Sequence, residues 1–252
     1  MRFLLELSYR GTSYFGWQVQ SEGTTVQGVL QEKLSLLLQQ VVEIVGCGRT
    51  DSGVHASQYF AHFDVPESCV NQLFLKSMNA MLPKDIAILS ITQVADDFHA
   101  RFDAILRKYI YRIHLNKDPF APFYSYYLRE TNFLSIDLLN QAAKLILQIE
   151  DFRSFVKTGN ELENFYCKIY ESQWIQIDEN HFEYHIAANR FVRGMVRLIV
   201  GMSINFTLNK ITMDQIENDL KAYRQITKSW SISAEGLSLV EIQYPKNKLK
   251  QL

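Results

Sequence analysis

The chain has 252 residues, 47% of them hydrophobic, which is enough for one large domain or two small ones with a packed core. Its 26 Lys and Arg stand against 27 Asp and Glu, a balance that excludes a generally basic nucleic-acid coat, so any such contact must come from local clusters. Three dispersed cysteines exclude a disulfide or zinc framework, and the lack of an apolar leader or of any run of about 18 apolar residues predicts a cytoplasmic protein without a membrane span.

In chain order, Phe3 to Tyr9 alternates as a strand does, with Phe3, Leu5, Leu7 and Tyr9 on one face. Gly11 to Gln20 is a loop whose Tyr14, Phe15 and Trp17 either stack on bases or form a local apolar plug. Thr24 with Gln27 signals a capping box for a helix to about Gln39, carried by Val26, Leu30, Leu34, Leu37 and Leu38. Val41 to Val45 and Gln58 to Val65 read as strands, Val70 to Met81 as a helix stopped before Pro83, and Ile86 to Val94 as a strand. Strand, helix, strand, strand, helix, strand is the ferredoxin-like order.

A similar order begins again after Lys108. Tyr109, Tyr111, Ile113 and Leu115 alternate, Asp118 to Pro122 is a loop beyond the domain boundary, and Ile136 to Phe152 is an amphipathic helix. Asp178 to His181 forms a hairpin turn between Trp174–Ile177 and Phe182–Ile186. Asn189 to about Phe206 and Met213 to Tyr223 read as helices, Leu237 to Tyr244 as a closing strand, and the charged tail after Pro245 as frayed. The expected organisation is a half over 1–103 and a divergent second half over 104–252.

The chemistry concentrates between the second and third strands, in Gly46-Cys47-Gly48-Arg49-Thr50-Asp51-Ser52-Gly53-Val54-His55-Ala56. Glycines on both sides let the backbone bend and approach a ligand, and Asp51 is the only acid in the run. With Arg49 near, it reads as a carboxylate kept ionised for nucleophilic or base chemistry, or as an Asp bonded to its own turn. A triad of Asp51, Ser52 and His55 is disfavoured, because adjacent side chains point to opposite faces and no G-x-S-x-G elbow is present.

Arg190, Arg193 and Arg197 fall at i, i+3 and i+7 on the expected helix with Gly194 and Gly201 filling the same face, a phosphate-binding stripe or a solvated basic face. Arg101, Arg107, Lys108 and Arg112 make a second cluster with one acid among them, Asp103, where phosphates could bind. His181 and His185 share a strand face, but two histidines make weak grounds for a metal.

Gly48-Arg49-Thr50-Asp51-Ser52-Gly53-Val54-His55-Ala56 closely resembles the signature of the tRNA pseudouridine synthase A family, which usually has Ala at the place of Ser52. The likeness extends over nearly the whole chain: Ser8 to Thr12, Phe15 to Gln18, Thr25 to Gln27, Phe98 to Phe102, Arg107-Lys108-Tyr109, Ala188-Asn189 through Arg197 to Gly201, and Glu235-Gly236-Leu237. It implies an α+β pseudouridine synthase fold of two ferredoxin-like halves joined into one mostly antiparallel sheet flanked by helices. It also implies an isomerase converting uridine to pseudouridine at positions 38–40 of the tRNA anticodon arm, without cofactor or metal, as a homodimer. By position, Asp51 matches the nucleophile, Arg49 the arginine of the same motif, Arg197 the partner of the Asp, and Tyr109 the ring that stacks on the target base. Arg101, Arg190, Arg193 and Leu237 fall in substrate-binding motifs. Departures lie at Ser52, at Met202 to Leu208 and at Ser231-Ile232-Ser233-Ala234, and none removes a catalytic residue.

Overall fold

A computed structural model describes residues 1–72, 75–121, 123–131, 133–156 and 164–249. The chain is α+β, with nine strands, mostly antiparallel, and five α-helices among the described residues. It forms two compact units, the first Met1–Arg107 with Leu239–Leu252 and the second Lys108–Ser238.

The first unit runs β1 (Arg2–Tyr9), α1 (Val26–Leu38), β2 (Ile44–Gly46), β3 (His55–Asp64), α2 (Leu75–Met81) and β4 (Ile86–Val94). β1 lies between β4 and β3, all pairings antiparallel, and β2 pairs with β3, which is the 4-1-3-2 order of a ferredoxin-like sheet. Leu5 opposes Ala61 on one side and Ile91 on the other. A central strand is packed on its core face along its whole length, and Leu5 and Leu7 are accordingly fully buried. Each such side chain contributes roughly 1.5–3 kcal/mol by leaving water. The expected strand order is thus met, with shifted ends. Of the expected 41–45 only Ile44 and Val45 pair, with Gly46 added beyond, because Val41 is 91% exposed and the Val42 amide donates to Ser35 Oγ.

Helix α1 is capped by Thr25, whose hydroxyl accepts from the Gly28 amide, and not by Thr24. Gln27 is no capping-box member either. Its buried amide bridges the Val19 N–H and the Ile44 carbonyl and so ties the aromatic loop to β2. The expected helix over 70–81 is a 3-10 turn at Glu67–Gln72 followed by α2, with residues 73 and 74 outside the described residues.

The second unit contains β5 (Leu106–His114, from Lys108), β6 (Tyr126–Tyr127), α3 (Ile136–Ile146), β7 (Ile169–Gln176), β8 (His181–Ala188), α4 (Met195–Thr207) and α5 (Met213–Lys221). Its strands lie in the order β5-β8-β7, as strands 1, 3 and 2 of a ferredoxin-like sheet do. β9 (Leu237–Gln243) ends the strand series and belongs from Leu239 on to the first unit. α3 stops at Ile146, short of the expected Phe152, and the chain then turns to bury Phe152 and Phe155 around a 3-10 turn. The hairpin at Asp178 forms as read, its carboxylate accepting from the Asn180 and His181 amides. Of the loop at 118–122, residue 122 lies outside the described residues, as do 250–252 of the tail. The tail is tied at Lys248, which pairs with Asp97 at 2.9 Å.

Candidate active site

The run around Asp51 is shaped by what lies behind it. Trp17 stacks on Tyr59 with ring centroids 4.1 Å apart, and Tyr9 packs edge-on against Tyr59 at 5.6 Å. All three rings are buried, so most of the aromatic loop is the apolar plug, and Phe15 alone of its rings faces solvent. Their polar atoms then hold the loop: the Tyr59 hydroxyl donates to the Gly48 carbonyl at 2.5 Å, and the Tyr9 hydroxyl and Thr50 Oγ1 share a bond of 2.9 Å. The Trp17 amide donates to the Thr50 carbonyl, and the Gly53 amide and the Ser52 hydroxyl both donate to the Tyr14 carbonyl. Gly16 adopts φ +86°, and a Cβ there would lie 2.5 Å from the Thr50 carbonyl oxygen, so only glycine lets the aromatic loop lie this close.

Asp51 is half-buried at the head of this scaffold, and its carbonyl accepts from the Val54 amide in a tight turn. The triad reading fails on geometry. Ser52 Oγ is spent on Tyr14, and the buried His55 accepts the Gly11 amide through Nδ1 at 3.2 Å, so both brace the loop. Cys47, immediately before the loop, is buried, and burial pushes its thiol up to about 11, which keeps it protonated and inert.

A second loop, His99 to Asp103, stands beside the first and is held through its own amides. The Asp103 carboxylate accepts from the His99 amide, His62 Nδ1 from the Ala100 amide, and His99 Nδ1 from the amides of both Arg101 and Phe102. Arg107 joins the two loops, donating to the carbonyls of Cys47 at 3.0 Å, Arg101 at 2.6 Å and Ala104 at 3.1 Å. The basic cluster therefore divides. Arg107 serves the backbone, while Lys108 and Arg112 pair with Glu171 at 2.7 Å and Glu183 at 2.8 Å. Arg101 is left exposed with its guanidinium over the Phe102 ring, and Arg49 is exposed as well.

In the second unit, half-buried Tyr109 packs edge-on against Phe191 at 5.2 Å. The arginine stripe needs correction, because α4 begins at Met195. Gly194 at φ +76° forms its N-cap, and Asn189 accepts the Lys168 and Arg190 amides, so Arg190 and Arg193 precede the helix and only Arg197 lies on it. Arg193 is exposed, whereas Arg197 is half-buried and donates through Nε to the Ile232 carbonyl at 2.6 Å. The Tyr111 hydroxyl donates to the neighbouring Ser233 carbonyl, so the departure at 231–234 is used through its backbone. Leu237 is buried at the start of β9, and the second departure, after Gly201, simply continues α4. His181 and His185 each face an acid of their own, Asp178 and Glu183, and among the described residues no group of three or more His, Cys, Asp or Glu could hold a metal.

Sequence reasoning did not find Tyr9, Tyr59, Arg107, His62 and His99 as the framework of the loops. The first two were readable only as alternating core positions, Arg107 and His62 act through contacts 60 and 38 residues apart in the chain, and His99 acts on amides two and three residues on.

A ferredoxin-like α+β scaffold that presents one carboxylate on a braced loop, with exposed guanidiniums beside it, is the equipment of an enzyme acting on a polyanion. A family profile described as tRNA pseudouridine synthase matches residues 7–103 and 142–245. The chain is 38% identical over 244 residues to a tRNA pseudouridine synthase A of Azobacteroides pseudotrichonymphae, covering 97% of each. It is 37% identical to that of Parabacteroides distasonis, over 97% of this chain and 96% of the relative. With the protein of that name from Dictyoglomus thermophilum it shares 38% identity, over 95% of this chain and 98% of the relative. The chain belongs to the tRNA pseudouridine synthase family.

Proposed function

We propose that this protein isomerises uridine to pseudouridine at positions 38–40 of the tRNA anticodon arm, with Asp51 as the nucleophile. Family membership makes it an isomerase of uridine in tRNA. The finer reading is supported by the braced loop, which fixes a single carboxylate at its head and spends the nearby hydroxyls of Tyr9, Thr50, Ser52 and Tyr59 on the scaffold.

The reaction breaks the bond from N1 to C1′, turns the base, joins C5 to C1′, and moves one proton from C5 to N1, so nothing enters or leaves overall. The target base must leave its stack, at a cost of a few kcal/mol, offset by stacking on Tyr109 and by Arg49 occupying or bracing the vacated space. Arg197 is the cation that would pair with Asp51 and orient it, and Arg190, Arg193, Arg101 and Leu237 are the further substrate-binding residues of this reading. Attack at C1′, addition at C6 and proton removal at C2′ all start from an ionised carboxylate, so all three remain open to this site. A homodimer in the cytoplasm, with one tRNA lying across both subunits, completes the reading. Among the described residues no helix is long and apolar enough to cross a membrane.

The test is pseudouridine formation in unmodified tRNA by wild type and by Asp51→Asn. The variant is expected to bind tRNA and to lose at least about 10³-fold in turnover. Equal product from both proteins would end the assignment of Asp51.

A further inference from the structure

Arg49 and Arg101 open onto one hollow of the first unit, whose walls include Gly46, Gly48, Trp17 and Val45 and no acidic residue. Among the described residues neither guanidinium makes a hydrogen bond or ion pair, and both side chains are exposed. A Cβ on Gly48 would meet nothing within 4 Å, so the hollow is open above that residue. Arg101 is nevertheless far from loose at its backbone. Its amide is held by His99, its carbonyl by Arg107, and the same Arg107 grips the Cys47 carbonyl at the root of the loop that carries Arg49. Two cations are thus fixed by their main chains on one concave surface, with no anion between them to offset their repulsion. A planar guanidinium pair of this kind matches the oxygens of a phosphate, which accepts paired N–H bonds. Arg49 stands two residues from Asp51, at most about 7 Å along the chain, so an anion in the hollow lies on the scale of one nucleotide from the reacting group.

We propose that this hollow is a phosphate subsite, in which Arg49 and Arg101 together grip one backbone phosphate of the tRNA beside the target uridine. The assignment rests on Asp51 acting on that uridine. Such a contact sets the register of the RNA and carries no sequence information of its own.

The experiment measures binding of an unmodified anticodon stem-loop over a range of salt for wild type, Arg101→Ala and Val45→Asp. The last change puts a carboxylate on the half-exposed wall of the hollow and leaves both guanidiniums in place. Each variant should bind about tenfold more weakly, with a slope of log affinity against log salt shallower by about one. Stem-loops carrying a neutral methylphosphonate at one linkage at a time should reveal a single linkage near the target whose neutralisation costs wild type about tenfold and costs Arg101→Ala, which keeps Arg49, clearly less. Inorganic phosphate at millimolar concentration should compete with the stem-loop on wild type and not on Arg101→Ala. Competition without any linkage effect would mean that the hollow takes a free small anion, and would overturn the backbone assignment. An unchanged salt slope, or equal losses at every linkage in both proteins, would overturn the subsite itself. Pseudouridine formation by wild type is scored in parallel, and its absence with the linkage effect intact would retire the reading of Asp51 and keep the subsite.

Discussion

The cations of the two loops in the first unit and those of strand β5 in the second are the same residue types put to opposite uses. Lys108 is met by Glu171 on β7, two strands away, and Arg112 by Glu183 on the adjacent β8, so their charge is consumed on the sheet face. Arg49 and Arg101 are met by none, while the backbone beneath them is held by rings, hydroxyls and imidazoles. A surface cation paired with a carboxylate adds little stability, and one left open on a braced loop is available to a ligand. Charge counts along the chain therefore mislead: the segment from His99 to Arg112 holds four cations, and one of them, Arg101, remains open to solvent without a bonded partner.

The widest break in this contrast should come from Gly16→Ala. The change forces a side chain into a backbone at φ +86° and brings Cβ to 2.5 Å from the Thr50 carbonyl, so the floor and the Asp51 loop must separate. Strain of this kind costs about 1–3 kcal/mol, and a shift of about 1 Å at a reacting group costs on the order of 10²-fold in rate. Gly23→Ala is the control. Gly23 has φ +83°, yet its Cβ would press on the exposed Phe15 ring, which can move. Both variants should lose similar thermal stability, and only Gly16→Ala should lose about 10²-fold in turnover. Equal turnover in the two would show that the loop does not depend on its floor.

Acid should separate the two regions next. Burial and the nearby Arg2 pull the His62 imidazole down to about 4, against an ordinary value of 6.5, and burial with Arg2 also lowers His99. The groups facing the pair are Arg2, Arg101, Asp64 and Asp103, and the two carboxylates only partly offset the effect. Each imidazole accepts amides through Nδ1, so it holds the Arg101 loop only while neutral. The sign follows: the unfolded chain takes up the proton first, so this stabilisation is full above pH 6.5, falls as the pH drops, and is lost by about pH 4. In the second unit, burial raises Glu183, but His185 and Arg112 together hold it below the usual carboxylate value, so its pair with Arg112 is intact where the loop begins to weaken, just below pH 6.5. Imidazole NMR titration should show His62 protonating near pH 4, and a titration at 6.5 would remove the argument.

What the sequence disclosed follows from periodicity and local chemistry. The alternation of Phe3 to Tyr9 gave β1, and the glycines around Asp51 marked a turn carrying a carboxylate, because both signals reside within a few neighbouring residues. Helix α4 was set too early because apolar spacing continues back through Val192 and Phe191, whereas the stop depends on the left-handed Gly194 and on Asn189 reaching Lys168. The sorting of cations was equally hidden. Whether Lys108 or Arg101 has a carboxylate partner is decided by which strands the sheet brings within reach, and Glu171 is 63 residues away in the chain.

Lys108→Ala is the smallest of these tests and the one that isolates charge from position. Lys108 lies within seven residues of Arg101 in sequence, so a cluster model, in which any cation of the segment attracts RNA, expects both substitutions to reduce the salt dependence of tRNA binding alike. The pair with Glu171 predicts otherwise. Removing Lys108 leaves a partly buried carboxylate with His185 still 3.8 Å away, so stability should fall by no more than about 1 kcal/mol. The salt slope should stay where it was, because the charge withdrawn was already neutralised before RNA arrived. A slope shallower by about one in Lys108→Ala would mean that the pair opens on binding, and would place β5 among the RNA-contacting elements with the two loops.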